Sequence, residues 1–236
     1  MKAVGFGTMG RRGSPGYGRV FSRGDAMQRC QRARGPRRLM GAALVAAAFA
    51  AAACPAADEP AIPESLPSIF NGRDLAGWKV PPEPYWRVED GVLVGASDAD
   101  RRNSMLYTER DYGDVVFEAD VRFSGEIDSG IMVRRPELQV QIGVSRSLKR
   151  DMTCAFYTGS YPEEARAPQA AELLKANDWN RIRVMARGDT FTVWLNGRQV
   201  SRYKSDAYPR PGPIGLQIHA GVLMKVEFRN LRALPL

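Results

Sequence analysis

Histidine is almost missing from this 236-residue chain: His219 is the single copy. A multi-histidine zinc or iron site is therefore excluded. Any Ser-His-Asp triad would have to use His219. Neither a nucleophile elbow nor a phosphate-cradling glycine loop is present. Cysteine is nearly as scarce, with Cys30, Cys54 and Cys154 only. If the first two belong to a leader and its cleavage site, Cys154 stands alone and the core has no internal disulfide. A lone Cys154 then reads as a small buried apolar residue. Long apolar runs are lacking too. The longest, Leu39 to Ala53, spans 15 residues, against ~20 for a membrane-spanning helix.

An excess of acidic residues is also lacking: the formal net charge is +8. That surplus is local. Ten of the 34 basic residues and one of the 26 acidic ones fall within residues 1–53, leaving 24 and 25 beyond. The remainder is close to neutral, so charge gives no case for a nucleic-acid partner. Arg29, Arg32, Arg34, Arg37 and Arg38 precede the Ala-rich run, as in an export signal. Met27 would open a signal peptide of ordinary size, which sets residues 1–26 apart. Small residues Ala51 to Ala53 stand before Cys54. They suit two cleavage routes, one of which lipidates Cys54 and leaves a membrane anchor. The expected location is the periplasm or, with the lipid, the outer membrane.

The expected domain plan is a leader over residues 1–53, a tether over 54–67 and one β-domain over 68–236. The tether carries Pro55, Pro60, Pro63 and Pro67, an extended, poorly packing composition. Beyond it, short alternating segments recur between turn signals. Strands are expected at Tyr85 to Glu89, Val92 to Val94, Val115 to Phe123, Ile131 to Val133 and Leu138 to Ile142. Others fall at Arg181 to Arg187, Thr190 to Leu195, Arg198 to Ser201, Ile214 to His219 and Lys225 to Leu231. Asp90-Gly91 and Asn196-Gly197 are hairpin signals. One short helix fits Gln169 to Lys175. The fold class is all-β, an antiparallel sandwich.

Four blocks bracket this stretch: Phe70-Asn-Gly-Arg-Asp-Leu-Ala-Gly-Trp78, Trp86-Arg-Val-Glu-Asp-Gly-Val92, Gly212-Pro-Ile-Gly-Leu-Gln-Ile-His219 and Val226-Glu-Phe-Arg-Asn-Leu231. In order and spacing they resemble the 3-keto-disaccharide hydrolase family. The resemblance implies a concanavalin A-like jelly roll, a carbohydrate ligand and no cofactor. It also implies a glycoside already oxidised at C3 as substrate. The ketone acidifies C2–H, so a base can drive elimination of the glycosidic oxygen.

Strand alternation places Gln217 and His219 on one face of their strand, and Gln139 and Gln141 form a matching polar pair expected to line the same hollow. His219 is the candidate proton-transfer group, since an ordinary imidazole titrates near neutrality. Asp128-Ser129-Gly130-Ile131 followed by Arg134 is similar to a family segment. Arg134 is the candidate clamp for a developing oxyanion, or else pairs with Glu137. Gln139, Gln141 and Gln217 would orient sugar hydroxyls, with Tyr157 as an aromatic wall. The family pattern has a carboxylate where this chain has Gln139, and another at Val144. That departure favours a binding module without catalysis. A third reading is a conventional glycosidase using Glu118 and Asp120, against a solvated outer strand face completed by Arg122. Asp98 and Asp100 match a calcium loop only weakly. Arg187-Gly188-Asp189 fits a hairpin turn better than an adhesion motif. Trp78, Trp86, Trp179 and Trp194 are candidates for sugar stacking or for the core.

Overall fold

A computed structural model describes residues 63–236. The expected leader, Cys54 as an expected lipidation site, and the first part of the expected tether lie outside the described residues. The strands are β1 (Trp78–Lys79), β2 (Trp86–Glu89), β3 (Val92–Ala96), β4 (Ser104–Tyr112), β5 (Val115–Phe123), β6 (Asp128–Val133) and β7 (Leu138–Ser145). They continue as β8 (Arg150–Asp151), β9 (Phe156–Tyr157), β10 (Asn180–Arg187), β11 (Thr190–Leu195), β12 (Arg198–Lys204), β13 (Gly212–Ile218) and β14 (Lys225–Pro235). Among the described residues a 3-10 turn, Glu163–Ala165, and one α-helix, α1 (Ala170–Leu173), interrupt them; α1 is shorter than the sequence suggests. No helix among the described residues is long and apolar enough to cross a membrane.

Two antiparallel sheets form a jelly roll. The first runs β1-β4-β13-β6-β7-β8, with β9 also on β7; the second runs β12-β11-β10-β5-β14-β3-β2. Period-two alternation drives their packing. Leu138, Val140 and Ile142 of the first sheet meet Val115, Phe117, Ala119 and Val121 of the second in one core, all at most 1 % exposed. Cys154 belongs to that core, and burial pushes its thiol well above the ordinary range, so it stays a thiol. Asn196 and Gly197 take φ of 50° and 86°, as a tight hairpin turn requires. Arg187-Gly188-Asp189 lies at the β10–β11 turn.

Strand β4 is not apparent from the sequence, because its inward positions include Ser104 and Thr108. Their hydroxyls are used internally: Trp86 Nε1 donates to Ser104 Oγ, and the Ile214 N–H donates to Thr108 Oγ1, both at 3.0 Å. Packing also reaches back to Leu66, which covers Val116 and Met185 on the outer face of the second sheet.

That outer face differs from the sequence expectation. Glu118 and Asp120 are 1 % and 6 % exposed rather than solvated. Arginines from neighbouring strands cover them. Cross-strand register sets Arg183 beside Glu118, and Arg181 and Arg229 beside Asp120. Arg122 does not complete this pair; it binds Glu227 through two nitrogens. Trp78 and Trp86 are core residues. Asp98 accepts from Tyr85 Oη and from the Asp100 N–H, which is turn chemistry.

Candidate functional site

The first sheet's outer face collects the amides. Register pairs Gly130 with Gln141 and Met132 with Gln139 across β6–β7, and Gly215 with Met132 across β13–β6. Directly opposed residues share a face. A Cβ at Gly130 would lie 2.8 Å from the Gln139 side chain, and one at Gly215 would lie 2.7 Å from the Tyr107 ring. The two glycines therefore form a floor on which Gln139 and Tyr107 lie flat.

A hydrogen-bond chain crosses this floor. Gln139 Nε2 donates to Gln141 Oε1 at 2.7 Å and to Gln217 Oε1 at 3.2 Å. Gln141 Nε2 donates to Asp128 Oδ1 at 2.8 Å, and Tyr161 Oη donates to Gln141 Oε1 at 2.9 Å. The Arg146 N–H donates to Asp128 Oδ2 at 3.1 Å. Burial pushes the Tyr161 phenol up to about 12, which keeps it a donor. Gln141 is 1 % exposed, so it positions Gln139 and cannot itself grip a ligand, contrary to the sequence expectation. Tyr157 packs against Tyr161 in a tilted arrangement, with centroids 5.0 Å apart and ring planes 49° apart.

Above the chain lies a cleft of about 590 Å³, lined by Tyr107, Glu137, Gln139, Tyr157, Tyr208 and Gln217 among others. That volume suits a small organic ligand. Tyr107 Oη donates to Glu137 Oε1 at 2.9 Å. Burial first, then the Glu137 carboxylate, pushes the Tyr107 phenol far above its ordinary range. The cleft thus holds one exposed carboxylate and one phenol that stays protonated.

Arg134 does not join this group. It follows β6 with φ of 67°, a left-handed conformation in which strand alternation no longer sets side-chain direction. Its guanidinium is 5 % exposed and binds Asp114 and the Gly188 carbonyl. It ties the β4–β5 turn to the β10–β11 turn and is not available as an oxyanion clamp; its partner is Asp114 rather than Glu137. His219 stands just past β13. Its backbone N–H donates to the Asp128 carbonyl at 3.2 Å, and its ring Nδ1 meets the Ala220 carbonyl at 2.8 Å. A carbonyl only accepts, so Nδ1 carries the proton and Nε2 keeps its lone pair in the neutral ring. The imidazole is half-buried, two residues beyond Gln217, about 6.5–7 Å along an extended strand.

Sequence reasoning missed Glu137, Tyr107, Asp128 and Tyr161 as site residues. Glu137 was within reach, since it shares parity with Gln139 and Gln141. Tyr107 depends on β4, and Asp128 and Tyr161 on tertiary contacts.

The outer face of the second sheet holds Glu118 and Asp120. Arg183 Nε and Nη2 approach Glu118 Oε2 at 2.8 and 2.6 Å, and Arg181 Nε reaches Asp120 Oδ1 at 3.0 Å. Burial alone would raise the Asp120 carboxyl, but hydrogen bonds from Arg181 and Asn230 outweigh it and hold the carboxyl below its ordinary range. A general acid needs the opposite shift, which counts against a glycosidase built on this pair.

Comparison with known proteins agrees with this architecture. One family, described as a 3-keto-alpha-glucoside-1,2-lyase-like domain, matches residues 66–233. No curated protein matches the chain. Among solved structures, a candidate glycosyl hydrolase from Parabacteroides distasonis is similar at 21 % identity and a TM-score of 0.56; the match covers 73 % of this chain and 94 % of that one. A structure from work on endo-acting O-glycanases of the human gut microbiota is similar at 12 % identity and a TM-score of 0.52, covering 74 % and 96 %. The carbohydrate recognition domain of Emp47p is similar at 15 % identity and a TM-score of 0.50, covering 72 % and 94 %. At such identities the structural likeness is one of fold.

Proposed function

This chain belongs to the 3-keto-alpha-glucoside-1,2-lyase-like family, and we propose that it is an exported enzyme that cleaves 3-keto-glycosides in the cleft of its first sheet. One observation carries the reading. The Glu137–Tyr107 pair faces the same cleft as the Gln139–Gln217 amides.

The chemistry follows from those groups. Gln139 and Gln217 hold sugar hydroxyls, and Tyr157 and Tyr208 flank the ring. Glu137 takes the C2 proton made acidic by the C3 ketone. Its charge is then gone, and Tyr107 Oη turns its proton to the enolate oxygen. The enolate re-forms the ketone, the C1–O bond breaks, and a C1–C2 double bond remains. Glu137 passes its proton to the leaving oxygen and is regenerated; one water then adds to the double bond, its oxygen to C1 and a proton to C2, which completes a net hydrolysis. His219 Nε2 is the proton-transfer group for that second stage. Arg134 has no part in it.

The test is incubation of the purified protein with a 3-keto-disaccharide and its unoxidised parent, read by mass spectrometry. The keto sugar alone is cleaved. Glu137→Gln lowers kcat by about 100-fold or more, within the usual range for a lost general base, while KM holds. Cleavage of the parent, or of neither sugar, overturns the reading. Saturable sugar binding without product would support the alternative, a carbohydrate-binding module, which the amide at position 139 favours.

A further inference from the structure

A second cleft, larger than the first, lies on the opposite side of the sandwich. It measures about 850 Å³ on the outer face of the second sheet, and Lys175, Trp179, Arg181, Arg183, Trp194 and Arg229 line it. The cleavage reading uses none of them.

Two observations bear on what it holds. The first is a surplus of donors. Side chains of Arg181, Arg183 and Arg229 are 48 %, 25 % and 43 % exposed. Each guanidinium has five N–H groups, and the buried carboxylates engage only some of them. Lys175 is exposed and has no ion pair among the described residues. With Arg232, which lies 3.8 Å from Glu118, five cations surround three acids, Glu118, Asp120 and Asp178. Arg122 and Arg229 lie over the Trp179 ring at 4.5 and 4.1 Å, which extends the cationic surface. The second observation is an unmet acceptor. Glu118 is 1 % exposed, yet its Oε1 has no hydrogen-bond partner. Arg181 and Arg232 stand 3.7 and 3.8 Å away, too far for a hydrogen bond.

We propose that this cleft is a second glycan site, selective for an acidic saccharide. Ring hydroxyls donate to Glu118 Oε1 once half-exposed Arg181 swings aside. The sugar's carboxylate or sulfate accepts from Arg181, Arg183 and Lys175 in charge-assisted bonds. Trp194 flanks the ring. Inorganic phosphate at neutral pH and a neutral glycan each meet only part of this requirement.

The experiment uses the mature chain carrying Glu137→Gln, so that its result is independent of cleavage. Calorimetry with an oligogalacturonide, a sulfated oligosaccharide, a maltooligosaccharide, inorganic phosphate and phosphatidylglycerol vesicles separates the sources. Saturable binding of an acidic oligosaccharide, weakened by added salt, is expected; which of the two acidic sugars binds more tightly identifies the anion. Lys175→Gln and Arg181→Gln each weaken it about tenfold as a charge-assisted contact is lost, while Gln139→Ala, on the opposite face, leaves it unchanged. Lys175→Gln touches no buried carboxylate, so its effect is independent of folding. Absence of binding, equal binding of the maltooligosaccharide, phosphate or vesicles, or indifference to Lys175→Gln overturns the proposal.

Discussion

The outer faces of the two sheets solve the same problem in opposite ways. Both carry polar side chains beside a buried core, and both bury part of them. The first sheet uses neutral amides, tyrosines and one shielded carboxylate, Asp128, joined in a directional chain. The second uses opposite charges, with Glu118 and Asp120 laid under arginines from neighbouring strands. Amides cost less to desolvate, and each can donate and accept at once. They therefore leave capacity for a neutral ligand. Buried charges must first satisfy each other, and what remains exposed is a fringe of cations.

The largest expected effect breaks the charged face. Arg183→Ala strips Glu118 of its close partner and costs about 3 kcal/mol, as when one member of a buried pair is removed. Replacing Glu118 and Arg183 together by apolar residues costs far less. Chemical unfolding of the two variants measures the difference; equal losses would show that Arg181 and Arg232 already neutralise Glu118. A change on the amide face comes next. Gly130→Ala puts a methyl into the space of the Gln139 amide. Sugar binding should weaken by about tenfold, the loss expected for roughly one good hydrogen bond, with little change in melting temperature. Acid provides the smallest effect. The Asp120 carboxyl is lowered in the folded state, so its contribution is present above the unfolded value of about 3.9 and fades as pH falls through the lower folded value. Asp120→Asn should flatten that loss in an acid titration of stability, whereas Gln141→Glu tests whether the amide chain tolerates a second charge beside Asp128.

Much of the fold was legible because period-two alternation is strong where a strand has one apolar face. Val115 to Phe123 is the clearest case, and its apolar set is the core set down to Val121. The opposite face of the same strand misled. Alternation shows that Glu118 and Asp120 avoid the core, but not that arginines on the adjacent strands β10 and β14 close over them. Strand β4 escaped because serine and threonine hydroxyls stand in for apolar side chains on its inner face. Within the candidate site, Gln139 and Gln217, read from alternation, and Tyr157, read from the family resemblance, line one cleft. Arg134 does not, since a single left-handed residue breaks the parity on which its placement rested.

From composition and pattern alone came the class of fold, the exclusion of histidine-rich metal chemistry and of a charge-driven nucleic-acid partner, and the family likeness. These follow from residue counts and local periodicity, which need no knowledge of what lies across the sheet. Only the folded chain decided which carboxylates remain free. Glu137 meets Tyr107 from 30 residues earlier, and Arg134 is captured by Asp114 from another turn. Those partnerships depend on distances between segments far apart in sequence, set by how two sheets pack and by which turn ends beside which.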